Sequence, residues 1–273
     1  MQLRTPRAWR RARRTLAGLA AAGLIIIVLG SSPVGQVLFG CGLLGLVLLE
    51  SSLIRRAILE SRRQHYAHIQ IRPLMGEVPL DLSGWAADPV LAYNAVKLLV
   101  EVRPNLVLEC GSGSSTVMMA RCLQGLGNGR IVSLEHDAEY ARHTEDRLQR
   151  SGLERIATVV TSPLVEREVN GQRLRWYDPD YERLVDRPID MLVVDGPPGR
   201  SGPLARYPAV PLLKTHLASP CWILLDDGDR PDEEATARRW ASELGASLSY
   251  LEGGRGGWLL RLQPSAGGNE GKF

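Results

Sequence analysis

A chain of 273 residues, 44% of them hydrophobic, is long enough for one medium α/β domain with a sizeable core and roughly sixty residues beyond it. Its net charge of +3 is local: residues 1–63 hold ten arginines against Glu50 and Glu60, a balance of +8, so the remainder carries −5 and presents no basic face for nucleic acid. Cys41, Cys110, Cys122 and Cys221 form neither a Cys-x-x-Cys pair nor a zinc spacing, which argues against a disulfide framework or metal knuckle and fits a reducing compartment.

Two apolar runs come first, 16–30 and 34–49, parted by Ser31-Ser32-Pro33. Each falls a little short of the roughly 20 residues of a full span. Folded back on each other as a transmembrane hairpin over 1–50, they would leave the arginines of 4–14 and of 55–63 on one side, as the positive-inside rule prefers. A single long span would split the two clusters, and a cleaved signal peptide would need a small-x-small site that is not evident. The hairpin is the expectation, with the lipid bilayer as partner and the chain as a multi-pass protein of the cell inner membrane whose main domain is cytoplasmic. Glycines 35, 40, 42 and 45 include small residues at helical spacing, which would let the two helices approach closely. The segment 51–84 follows as a linker. Leu53, Ile54, Ala57, Ile58 and Tyr66 recur at helix-like intervals between arginines, as in a helix resting on anionic lipid or a solvated helical linker. A lead-in broken by Pro73, Gly76 and Pro79 completes it.

The domain proper is expected over 85–264. Asp88-Pro89 reads as a helix start and Pro104 as its stop. The chain then alternates: strand 106–110, helix 115–124, strand 130–135, helix 138–150, strand 156–161, an excursion over 163–188, strand 189–195, helix 205–217, strand 221–226, helix 231–244, and strands 247–251 and 257–263. Such βα alternation predicts a doubly wound, Rossmann-like, mostly parallel sheet of seven strands, its last strand antiparallel. Residues 265–273 read as a disordered tail.

Chemistry concentrates at the ends of these strands. Leu106-Val107-Leu108-Glu109-Cys110-Gly111-Ser112-Gly113 is an apolar strand that ends in an acid and turns through two glycines into a helix, whose free N–H groups face a ligand. A dinucleotide turn carries a third glycine where this chain has Thr116, and Glu109 would repel a pyrophosphate; both disfavour an NAD-linked oxidoreductase. Glu109 suits a cation bearing an ammonium or sulfonium. Glu135 closes the next strand about twenty residues on, the spacing at which a carboxylate meets ribose hydroxyls. Asp195, before Gly196-Pro197-Pro198-Gly199, and the pair Asp226-Asp227 close two further strands.

These motifs, with Ser133-Leu134-Glu135-His136-Asp137, Trp176-Tyr177-Asp178 and Leu225-Asp226-Asp227, resemble the class I S-adenosylmethionine-dependent methyltransferases, and among them a bacterial family often grouped as type 24, from about Trp85 to Leu262. The resemblance implies S-adenosylmethionine as cofactor, with Glu109, Gly111, Ser112 and Gly113 on its methionine end and Glu135 on its ribose. His136 or Asp137 would edge the adenosine, unless the pair simply starts a helix, and Ser162 would lie by the adenine, unless Thr161-Ser162-Pro163 is a plain turn. Asp195 is the candidate catalytic or substrate-orienting carboxylate. Asp195, Asp226 and Asp227 could together hold Mg²⁺, although the Gly-Pro-Pro-Gly loop differs from that of the metal-dependent enzymes. His216 is a candidate base by residue type alone. Arg200, Arg206 and Tyr207 could touch the acceptor, as could the aromatic residues of the excursion. The function implied is a membrane-tethered methyltransferase acting on oxygen of a small-molecule, lipid-linked or glycan acceptor; an aminopropyltransferase and a non-catalytic membrane scaffold on the same fold are the alternatives.

Overall fold

A computed structural model describes residues 6–29, 32–75 and 88–263, and the chain divides into two units between Arg62 and Arg63. Ser31 of the expected break at 31–33, the greater part of the proline-broken lead-in and the tail lie outside the described residues.

In the first unit, α1 (Pro6–Leu29) packs against the start of α2 (Pro33–Met75). The contact needs small residues. A Cβ on Gly42 would fall 2.5 Å from the Ala20 backbone nitrogen, and one on Gly45 would fall 2.5 Å from Leu16 Cδ2. Of the four glycines singled out, 42 and 45 therefore make the close approach, while Gly40 faces open space. Outward, Leu24, Ile25, Val34, Val37, Leu44, Val47 and Leu48 stay exposed. Among the described residues one helix, within 33–74, is long and apolar enough to cross a membrane; the apolar stretch 14–26 is shorter. α2 continues unbroken through residues 51–71, so that segment is helical, with Ile54, Ile58 and Leu59 exposed between arginines.

The second unit holds the sheet. α3 (Pro89–Val102) starts where Asp88 accepts a hydrogen bond from Val90 N at 2.8 Å and buries Val90, Leu91, Ala95, Leu98 and Leu99. Then come β1 (Leu106–Cys110), α4 (Ser114–Leu126), β2 (Arg130–Glu135), α5 (Ala138–Arg150) and β3 (Ala157–Thr161). After the excursion follow β6 (Ile189–Val194), α7 (Ala209–Leu213), β7 (Leu217–Asp226), α8 (Pro231–Leu244), β8 (Ser247–Leu251) and β9 (Gly257–Leu262). The seven strands run in the order β3-β2-β1-β6-β7-β9-β8, parallel except for β9, which is antiparallel to both neighbours. This is the expected sheet. Its central strands are nearly continuous apolar runs because both faces are covered. Val107, Met191 and Val193 point into the core under α3, α4 and α5, while Leu106, Leu108, Leu192 and Val194 point into the core under α7 and α8.

Two stretches differ from the sequence reading. The excursion folds into an antiparallel hairpin, β4 (Leu164–Val169) and β5 (Gln172–Tyr177), followed by one helical turn, α6 (Tyr181–Leu184). Asn170 and Gly171, at φ 50° and 76°, make the two-residue loop; the Asn-Gly pair between alternating apolar residues is its signature in the sequence. The helix expected over 205–217 shrinks to α7 and a tight turn over Lys214–His216, because Pro203, Pro208 and Pro211 punctuate the segment and Leu204 takes a left-handed φ of 49°.

Candidate active site

Order reverses between β1 and β6, the strands that leave the centre of the sheet in opposite directions, and a crevice opens there beyond the strands' carboxyl ends. It is a cavity of about 610 Å³ lined by Gly111, Ser112, Gly113, Glu135, His136, Asp137, Tyr177, Asp195 and Arg206, among others.

Its floor is the turn after β1. Gly111 at φ 94° donates to Leu134 O at 2.8 Å, and a Cβ there would crowd the backbone nitrogen of Gly196 at 3.3 Å, so the first glycine lets two loops touch. Ser112 donates through both backbone N and Oγ to Glu135 Oε2, at 3.0 and 3.3 Å, and Gly113 N donates to Thr116 Oγ1 at 3.0 Å. Thr116, where a dinucleotide turn has its third glycine, thus closes the helix start.

Glu109, expected at the methionine end of the cofactor, lies apart from the cavity's other candidates. It is fully buried and lies outside the cavity lining, accepting hydrogen bonds from Ser115 Oγ (2.6 Å), Thr116 Oγ1 (2.6 Å) and Ser133 Oγ (2.5 Å). Alternation along β1 turns this side chain towards α4, beneath the turn rather than above it. Burial raises its pKa against the three hydroxyls that lower it. Glu109 ties β1, β2 and α4 together.

Glu135 does face the cavity. Burial alone would raise its pKa, yet the neighbouring His136 and the backbone N–H groups of Asp137 and Ser112 outweigh burial and hold it below the ordinary carboxylate range. His136 Nδ1 lies 2.8 Å from Glu135 Oε1 without the alignment of a hydrogen bond. Asp137 lines the cavity and also caps α5, accepting from Glu139 N at 2.9 Å, so its two sequence readings are compatible. Ser162 is not brought into the cavity: its backbone N donates to Glu135 O at 2.7 Å, and its hydroxyl is buried away from the lining.

The opposite wall is charged. Asp195, anchored by its N–H on Cys110 O at 2.9 Å, keeps its side chain 21% exposed in the cavity with Oδ1 3.3 Å from Arg206 Nη2. Arg206, 3% exposed, also reaches Asp227 Oδ2 at 2.7 Å and donates to the carbonyls of Asp226 (2.9 Å) and Asp195 (2.7 Å). Arg230 meets Asp227 Oδ2 at 2.8 Å, and Arg255 meets Asp226 Oδ2 at 3.3 Å and Asp227 Oδ1 at 3.2 Å. Glu233 stands 3.9 Å from Arg206 Nε. Four carboxylates thus face three guanidinium groups. Burial, partly countered by Arg206, raises the pKa of Asp195; burial and then the charges of Asp195 and Asp227 lift Asp226 well above the ordinary range.

Carboxylate oxygens of Asp195, Asp226 and Asp227 fall within 4.8 Å of one another, as the sequence reading anticipated for a Mg²⁺ site. The residues do not fit the ion. Their oxygens are engaged by Arg206, Arg230 and Arg255, and a divalent cation among them would be held against guanidinium groups that already occupy those oxygens.

Two other candidates lie outside the cavity lining. His216 lies just before β7, at the edge of the sheet opposite the cavity, with Nε2 3.9 Å from Glu182 Oε1 and its ring against Tyr181, so it is no base for this site. Tyr207 is buried, its hydroxyl between Glu243 and Asn170. Arg206 lines the cavity but is consumed by the carboxylates, whereas Arg200 lines its mouth. The importance of Arg206, Arg230 and Arg255 is not legible in the sequence, since they come from three separate connections and no local pattern marks them.

Residues 108–228, from within β1 to just beyond β7, match a family described as methyltransferase domain, and residues 47–163 match one described as protein-L-isoaspartate(D-aspartate) O-methyltransferase. No curated protein matches the sequence. Among solved structures, the Podospora anserina methyltransferase PaMTH1, bound to S-adenosylhomocysteine, aligns with TM-score 0.51 at 12% identity, over 78% of this chain and 96% of its own. The O-methyltransferase TomG from Streptomyces achromogenes, in complex with S-adenosylmethionine, aligns with TM-score 0.48 at 19% identity, over 75% and 89%. An O-methyltransferase from Bacillus cereus in complex with S-adenosylhomocysteine gives TM-score 0.48 at 15% identity, over 74% and 90%. The first of these likenesses is one of fold.

Proposed function

We propose that this chain, which carries a class I S-adenosylmethionine-dependent methyltransferase domain, lays the cofactor across the Gly111-Ser112-Gly113 turn with its ribose on Glu135 and passes the methyl group to an acceptor oxygen held on the Asp195 side. The observation that carries the reading is Glu135: a carboxylate kept ionised at the end of β2, in a cavity whose floor is a glycine turn opening α4. Hydroxyls of a ribose are what such an acceptor group binds well. When bound, the cofactor supplies a methyl group on a sulfonium. The chain's own residues orient and deprotonate. Asp195, with a raised pKa and a partly exposed carboxylate, is suited to take the proton of an acceptor hydroxyl, and Arg206 fixes its position. Glu109 and its three hydroxyls hold the turn rigid without entering the cavity.

The acceptor is a small-molecule, lipid-linked or glycan hydroxyl, and the N-terminal helices tether the enzyme to the membrane as a hairpin, with the domain on the cytoplasmic side where the cofactor is made. The apolar exterior of α1 and early α2, and their close packing at Gly42 and Gly45, support the tether. An aminopropyltransferase is disfavoured because the loop 196–199 carries no acid.

Calorimetry on the full-length chain in detergent tests the reading. S-adenosylhomocysteine is expected to bind in the micromolar range, about −8 kcal/mol, and NAD not at all. Preference for decarboxylated S-adenosylmethionine would point to aminopropyl transfer instead. For the tether, resistance to carbonate extraction and cytoplasmic reporters at both ends are expected; reporters on opposite sides would establish a single span.

A further inference from the structure

Several buried polar atoms among the described residues lack a hydrogen-bond partner, and some of them, such as Arg206 Nε, Arg255 Nε and Asp227 Oδ1, have an opposite charge within 4 Å. Tyr177 is different. Its hydroxyl is buried, has neither a hydrogen-bond partner nor an ionic one, and belongs to a residue that lines the cavity. Ser162 Oγ shares the first property but not the last.

The ring is locked. Tyr177 is the last residue of β5, paired with Leu164, with its ring edge-on to Trp176 at 5.0 Å and to His136 at 6.5 Å. Its oxygen stands where the loops after β1 and β6 meet. A Cβ on Gly196 would fall 2.4 Å from Tyr177 Oη and 3.2 Å from Gly111 Cα, so Gly196 leaves room for that hydroxyl at the point where strand order reverses. Burial first, then the neighbouring Cys110, Glu135 and Asp195, push the phenol well above its ordinary pKa, with Arg206 opposing, so the group remains a proton donor. A buried donor without an acceptor costs free energy in the free protein and favours a ligand that supplies one.

Resting on the cofactor reading above, we propose that the Tyr177 hydroxyl donates a hydrogen bond to the amino-acid carboxylate of S-adenosylmethionine, which makes Tyr177 a cofactor-binding residue contributed by the β4–β5 hairpin. The direction of the cofactor follows from its anchor. With the ribose on Glu135 at the end of β2, the amino-acid end extends over β1 towards β6, where Tyr177 Oη waits. Of the groups at that end the carboxylate is the one that needs a donor, since the ammonium is itself one.

Y177F in the full-length chain, titrated calorimetrically, tests this without an acceptor. The free variant should melt at the same temperature or higher, because the lost hydroxyl had no partner. Affinity for S-adenosylmethionine and S-adenosylhomocysteine should fall about tenfold or more, the scale of a hydrogen bond to a charged group. Affinity for 5′-methylthioadenosine, which lacks the amino-acid group, should not change. Unchanged S-adenosylhomocysteine binding would overturn the proposal, and so would an equal loss for 5′-methylthioadenosine, the signature of general repacking. Failure of the wild-type chain to bind S-adenosylhomocysteine would overturn the cofactor reading itself.

Discussion

The two walls of the cavity solve the same problem by different chemistry. Around β1, α4 and β2, a buried carboxylate is satisfied by neutral hydroxyls: Ser115, Thr116 and Ser133 all donate to Glu109. Around β6, β7 and α8, the carboxylates of Asp195, Asp226, Asp227 and Glu233 are satisfied by Arg206, Arg230 and Arg255. The first arrangement adds no charge beyond Glu109 and leaves Glu135 free to hold a ligand. The second spends almost all its charge internally, so its acids are structural first, and of the three aspartates Asp195 keeps the most exposed side chain. A row of acids at strand ends therefore says little about metal binding until the cations that face them are known.

The contrast breaks most visibly at its hub. Arg206→Met should destabilise the domain by about 3–5 kcal/mol, the cost of leaving buried carboxylates without their partner, and lower the melting temperature by roughly 6 °C or more in a scanning-calorimetry trace. A small shift would show that Arg230 and Arg255 balance the cluster alone. Asp195→Asn, which removes the most exposed carboxylate of the cluster, should keep fold and cofactor affinity yet lower turnover by about 10²-fold, read as transfer of labelled methyl into an acceptor found by screening membrane and small-molecule fractions. Normal turnover with a lower melting temperature would assign Asp195 to bracing.

On the neutral wall the two glutamates should separate. Glu135→Ala is expected to weaken S-adenosylhomocysteine binding by about 1–3 kcal/mol through lost charge-assisted bonds to the ribose. Glu109→Gln, beneath the turn, should change the same binding constant by less than about threefold, since a residue that touches no ligand loses no ligand bond. Equal losses in the two variants would return Glu109 to the cofactor. Smallest of all is the effect of a chelator: excess EDTA should leave turnover and melting temperature unchanged, and a loss restored by Mg²⁺ would mean that the guanidinium groups yield to the ion.

Much of this molecule is legible in the local chemistry of its chain. Strands β1, β2, β6 and β7 are apolar runs closed by acids, and the Gly111-Ser112-Gly113 turn needs backbone freedom that only its own residues supply, so the sheet, its order of elements and the place of Glu135 follow from short-range pattern. The hairpin β4–β5 is within reach too, through Asn170-Gly171, but its apolar residues alternate too briefly to stand out from a charged excursion. What tertiary structure alone decided is which way side chains turn and what meets them. Glu109 points beneath its turn because strand alternation places it on the α4 face. His216 sits at the wrong edge because β7 starts there. Arg206, Arg230 and Arg255 converge on one cluster from residues far apart in the chain, a meeting set by how the sheet brings its loops together, and no spacing along the sequence encodes it.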